Sequence, residues 1–116
     1  MSTLIDISRY RRKKAPRIHF TRIELNQLLN LYSRRVISGE WKDYAMDHGP
    51  GMSAFSVFKD SGALPAFTIY KFAGGNGKKG NYAVGSGDAL IKRSQTLTDV
   101  ISVLERQLAL VKGARG

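Results

Sequence analysis

Five short runs between residues 41 and 93 are separated by only a few turn-forming residues, and that spacing constrains the fold more than any other feature. Residues 41–48 are followed by Gly49-Pro50-Gly51, and residues 53–59 by Asp60-Ser61-Gly62. Residues 65–72 lead into a glycine-rich stretch, residues 81–85 into Ser86-Gly87-Asp88, and residues 89–93 close the series. The runs are rich in Phe, Tyr, Val, Ile and Thr, the residues that suit a pleated, half-buried surface. Connections this short cannot hold a parallel crossover. The segment therefore predicts an antiparallel meander of four or five strands.

An amphipathic helix is predicted on each side of the meander. Thr21 and Glu24 have the spacing of a capping box, and Phe20 with Leu25 has that of a hydrophobic staple. Leu25, Leu28, Leu29, Tyr32 and Val36 recur at helical spacing, and Gly39 stands where a C′ glycine would. This places a helix over 22–38. Thr96 and Asp99 form a variant box before Leu97, Val100, Ile101, Leu104, Leu108 and Val111, with Gly113 and a basic tail as the stop. Helix, meander, helix makes an α+β two-layer sandwich, with both helices on one face of the sheet. Alternation assigns Phe55, Val57, Phe67 and Ile69 to the helix side. They join Leu28, Leu29, Leu90, Val100, Ile101 and Leu104 in the predicted core. Ser56, Phe58, Thr68, Tyr70 and Tyr82 are left for the open face.

Charge is distributed unevenly. The net charge is +10, and residues 1–18 supply +5 of it through Arg9, Arg11, Arg12, Lys13, Lys14 and Arg17 against Asp6. Like charges this dense resist folding alone, so 1–18 reads as a flexible basic arm, 19–112 as one domain and 113–116 as a tail. Such a charge favours polyanions: nucleic acid, a ribonucleoprotein or an anionic membrane face. Cysteine is absent, which excludes disulfides and thiolate metal sites. No apolar run approaches the roughly 20 residues that span a bilayer, and no secretory leader is visible, so a cytoplasmic location is expected.

The glycine-rich stretch from Ala73 to Val84 fails the tests of a nucleotide loop. The first Walker glycine would fall at Phe72, and Lys79 stands where a hydroxyl should follow Lys78. Gly75, Gly77 and Gly80 match a dinucleotide pattern by letter, but strand-like Tyr82-Ala83-Val84 follows where a helix is needed. A mobile hairpin tip is expected, with Lys78 and Lys79 available for non-specific phosphate contacts. His48 lies beside Asp47 and near Ser53, yet neighbours on a strand point to opposite faces, so no triad is expected. Two histidines without cysteine make a poor metal set. No cofactor, metal or catalytic group is expected.

The candidate nucleic-acid contacts are therefore the arm residues, Lys78, Lys79, Lys92 and Arg93, with Phe58, Tyr70 and Tyr82 as stacking groups. The alternative is a protein–protein adaptor or homodimer in which Trp41, Phe58 and Tyr70 meet the partner. Trp41 itself is expected at the core edge, with its indole N–H at the surface. An ordinary cross-strand pairing of Phe58 with Tyr70 is the plainest account of those two rings.

Leu31-Tyr32-Ser33-Arg34, Gly39-Glu40-Trp41-Lys42-Asp43-Tyr44-Ala45 and Phe55-Ser56-Val57-Phe58, then Pro65, Gly80-Asn81-Tyr82 and Leu90-Ile91-Lys92-Arg93, form a further pattern. Through these segments residues 20–111 resemble an uncharacterised alphaproteobacterial domain-of-unknown-function family, number 2794 in its series. The resemblance implies a bacterial cytoplasmic setting and no mechanism.

Overall fold

The computed structural model describes residues 17–60, 64–73, 81–87 and 89–115, with residues 107–115 as backbone only. The elements are β1 (Arg17–Ile18), α1 (Arg22–Ile37), β2 (Asp43–Pro50), β3 (Met52–Phe58), β4 (Phe67–Phe72), β5 (Tyr82–Ser86), β6 (Ala89–Ser94) and α2 (Leu97–Arg115). They form an α+β fold with one six-stranded antiparallel sheet in the order β1-β2-β3-β4-β5-β6. The sheet thus exceeds the predicted four or five strands, and a strand precedes the first helix. Arg17 and Ile18, expected in the arm, pair with Pro50 and Gly49. That pairing joins residues more than thirty positions apart, so no local pattern announces it.

The helix termini follow their sequence signals closely. The Thr21 hydroxyl accepts from the Glu24 amide at 3.1 Å, and the Glu24 carboxylate accepts from the Thr21 amide at 2.8 Å. At the other end Gly39 has φ 84, the left-handed conformation that a side chain resists. The Glu40 amide reaches Arg35 O at 2.8 Å and the Gly39 amide reaches Val36 O at 3.0 Å, the paired bonds of a Schellman motif. An Arg35–Glu40 ion pair at 3.1 Å stands where an apolar contact usually closes that motif.

The box at α2 is built differently from the one at α1. The Asp99 amide donates to the Thr96 hydroxyl, but the Asp99 carboxylate receives the Ser94 hydroxyl at 2.8 Å. Ser94 in turn accepts from the Thr96 amide at 3.3 Å. Aspartate is one methylene shorter than glutamate, and Ser94 bridges the gap. The helix also runs through Gly113 to Arg115 rather than ending there.

One core joins both helices to the sheet. Leu28 and Leu31 of α1 and Leu97, Val100 and Leu104 of α2 meet Phe55, Val57, Ile69 and Val84. Gln27 to Thr98 and Arg34 to Glu105 link the helices directly. Leu29, Phe67 and Ile101 are partly buried against this core. Leu90 is not in it: it is 58% exposed. The register shifts between Val84 and Gly85, so Val84 faces Lys92 while Gly85 faces Leu90. The extra residue, Ile91, packs on the core instead.

Trp41 also departs from expectation. It is only 1% exposed, and its indole nitrogen is buried with no hydrogen-bond partner among the described residues. Its ring lies 6.4 Å from Tyr32 at 27°, and Tyr32 meets Tyr44 edge-on at 4.9 Å. Trp41 is therefore interior to this aromatic cluster and does not form a partner-binding surface.

Candidate functional site

Alternation along the strands separates two faces, and each presents a row of side chains across the sheet. On the side away from the core, Asp47 pairs with Ala54, Ala54 with Tyr70, Tyr70 with Ala83 and Ala83 with Arg93. The Tyr70 ring is flanked on both sides by methyl groups, so neighbouring strands raise no wall beside it. Phe72 lies two residues along β4 on the same face. The two rings are 5.9 Å apart and only 15° from parallel. The Arg93 guanidinium lies 4.8 Å from the centre of the Phe72 ring. Three planar groups thus cluster on the face that neither helix packs against. One row along, the Ser56 and Thr68 hydroxyls hydrogen-bond across the strands at 3.1 Å.

Phe58 is not the cross-strand partner of Tyr70. It pairs with Asp43, while Tyr70 stands opposite Ala54. Phe58 is four residues from Ala54 along β3, roughly 13 Å away at strand rise. Phe72 takes the place expected for Phe58. Sequence alternation puts Phe72 on the same face as Tyr70, but its stacking partner, Arg93, becomes visible only with the register of β5 and β6. Lys92 is also exposed, but it pairs with Val84 and so lies on the core side of the sheet, not beside Arg93.

Tyr82 belongs to the other face. Its hydroxyl donates to the Glu24 carboxylate, and its ring packs against the core. It closes a polar row in which His48 pairs with Ser53, Ser53 with Lys71, Lys71 with Tyr82 and Tyr82 with Ser94. This row runs along the core side of the sheet, beyond the apolar row of Met46, Phe55, Ile69 and Val84. Glu24 is its hub. The Lys71 ammonium donates to the Glu24 carboxylate at 2.7 Å and to His19 O at 2.9 Å. Burial pushes the Glu24 carboxyl up, but hydrogen bonds from Lys71, Tyr82 and the Thr21 amide, with the Lys71 charge, bring it below its ordinary value. Burial, the hydrogen bond to Glu24 and the Glu24 charge push the Tyr82 phenol up to about 12.

The same row holds His48 and Ser53. The Ser53 hydroxyl donates to Ile18 O and lies 3.1 Å from His48 Nδ1. Asp47 lies on the far face, away from this pair. The His19 and His48 rings touch at 4.7 Å.

The charged candidates are dispersed. Arg17 sits in β1, and its guanidinium donates to His48 O at 3.2 Å. Arg34 and Arg35 are tied to Glu105 and Glu40. Arg9, Arg11, Arg12, Lys13 and Lys14 of the arm, and Lys78 and Lys79 of the β4–β5 loop, lie outside the described residues. Among the described residues, no helix is long and apolar enough to cross a membrane.

Comparison with known proteins adds one finding. The model of a family described as a protein of unknown function (DUF2794) matches residues 18–101, and the chain belongs to that family. No curated protein and no solved structure matches the chain.

Proposed function

We propose that this member of the family is a nucleic-acid-binding module without catalytic chemistry, taking unpaired bases on its open sheet face. The observation that supports this reading is the Tyr70–Phe72 stack with Arg93 beside it. Every base has a π-face, and stacking on an aromatic ring is worth about 1–3 kcal/mol per base without sequence preference. Arg93 on Phe72 contributes only about 0.5–1 kcal/mol at an exposed site. An entering base therefore gains more than the Arg93–Phe72 contact that it displaces. The basic arm and the loop lysines would add charge attraction.

Tyr70→Ala and Phe72→Ala should each weaken binding of a single-stranded oligonucleotide by about 1–3 kcal/mol and leave the salt slope nearly unchanged. Fluorescence anisotropy across a salt series reads both quantities. No affinity of the full-length protein for RNA or DNA at about 50 mM salt, where phosphate contacts are strong, would end this reading.

A second reading is favoured by the symmetry of the Asp47–Tyr70–Arg93 row. A two-fold axis along β4 would set Tyr70 against the partner's Tyr70 and Asp47 against the partner's Arg93, a self-complementary contact between two copies. Exposed Leu90 lies on the same face. Sedimentation without nucleic acid tests it. A homodimer held by this face should scarcely respond to salt and should fall apart in Tyr70→Ala.

A further inference from the structure

We infer that the ligand of the open face is a short single-stranded segment whose phosphates lie toward β6 and whose footprint ends before β2. The inference rests on the nucleic-acid reading above and specifies its substrate. The ground for it is the charge asymmetry of the face itself. The transverse row begins at Asp47 on β2 and ends at Arg93 on β6, with Tyr70 midway. At about 4.8 Å between strands, each charge lies roughly 10 Å from the Tyr70 column. Asp43 stands on the same face of β2, about 13 Å further along the strand, whereas Lys92 pairs with Val84 and so belongs to the core side. A backbone leaving the stacked bases toward β6 meets the Arg93 cation. One leaving toward β2 meets the Asp47 carboxylate, whose repulsion at contact distance rivals the gain from one more stacked base, and then Asp43 beyond it.

The height of the surface points the same way. Ala54 and Ala83 flank Tyr70, so no side chain taller than a methyl borders the ring within its row. Tyr70 and Phe72 offer room for about two bases, the number such sheet platforms hold. A duplex keeps its base faces inside its own stack and gains nothing from the rings. Asp43 and Asp47 then act as an electrostatic stop that sets the length of the segment.

Chemical-shift mapping of the full chain tests this with two probes, an oligothymidylate of about two nucleotides, matched to the two rings, and one of about eight, within the usual site size of stacking proteins. The expected result is that both probes shift Tyr70, Phe72, Ala83 and Arg93 and leave Asp43 to Asp47 unmoved. Asp43→Asn with Asp47→Asn should leave the shorter probe's affinity within about twofold and strengthen the longer one by about fivefold or more, spreading its shifts onto β2. Both aspartates are exposed, so the variant should fold, and its far-UV spectrum checks this. If the longer probe shifts β2 in the wild-type protein as strongly as β6, the directional inference fails and the base-binding reading stands. If neither probe shifts any residue of the face, both fail. Shifts on that face that depend on protein concentration alone would give the surface to a second copy and overturn both.

Discussion

Glu24 does three jobs with one carboxylate: it caps α1, pairs with Lys71 and accepts from Tyr82. Its depressed pKa means that it adds stability above the ordinary carboxylate range. That contribution is lost as pH falls through the lowered value. Tyr82 works in the opposite sense. Its phenol is raised to about 12, so its contribution is complete below about pH 10 and is lost as pH climbs toward 12. Tyr82→Phe should lower stability by roughly 1 kcal/mol at neutral pH and flatten the alkaline loss, as read by thermal melts at several pH values. Some alkaline slope should persist, because burial, Asp43 and Tyr44 raise Tyr32 as well. Glu24→Gln should cost more, roughly 1–3 kcal/mol, because it leaves the half-buried Lys71 charge without its anion. In the sequence Glu24 was legible only as a cap. Its other two bonds come from residues more than forty positions away.

Elements whose signals are local were legible, and those set by distant pairing were not. The capping box of α1 and the glycine after it depend on a few adjacent residues, so spelling alone placed both ends of that helix. Alternation likewise put Phe55, Val57 and Ile69 in the core and Tyr70 on the opposite face. Leu90 went wrong because the bulge at Val84/Gly85 breaks the alternation on β6, and only the pairing of β5 with β6 reveals it. Gly85 is the residue that permits the bulge. A Cβ there would meet Ala89 O at 2.9 Å, backbone against which no side chain can yield. Gly85→Ala should therefore cost about 1–3 kcal/mol, read from the denaturant midpoint. It should also disturb amide signals on β6, which carries Lys92 and Arg93. Undisturbed β6 amides would mean that the bulge does not depend on this close approach. Strand β1 was missed because two residues in a basic stretch carry no periodicity, and their partner is the far end of β2.

Across the whole molecule, charge and architecture are partly separated. Residues 1–16 hold Arg9, Arg11, Arg12, Lys13 and Lys14 against Asp6, a large share of the +10 total. Several cations of the folded domain are already engaged: Lys71 binds Glu24, Arg34 binds Glu105 and Arg35 binds Glu40. Removing residues 1–16 should therefore flatten the salt dependence of nucleic-acid binding, by about 0.7 in log–log slope for each phosphate of a single strand that the arm had neutralised. It should leave the stacking contribution of Tyr70 in place. The cut falls at 16, not 17 or 18, because Arg17 and Ile18 are part of the sheet, and shortening into them would remove β1. A salt slope unchanged by the truncation would place the phosphate contacts on the domain instead.

Trp41 is the sole tryptophan, and it lies on the helix side of the sheet, stacked near Tyr32 and sealed from water. The molecule thus carries its own optical reporter, facing away from the surface proposed to bind. Its emission should be blue in the native state and shift red on unfolding, while a ligand on Tyr70 and Phe72, across the sheet, leaves it unquenched. Intrinsic fluorescence can follow the folding of every variant named above without labels and without interference from the oligonucleotide.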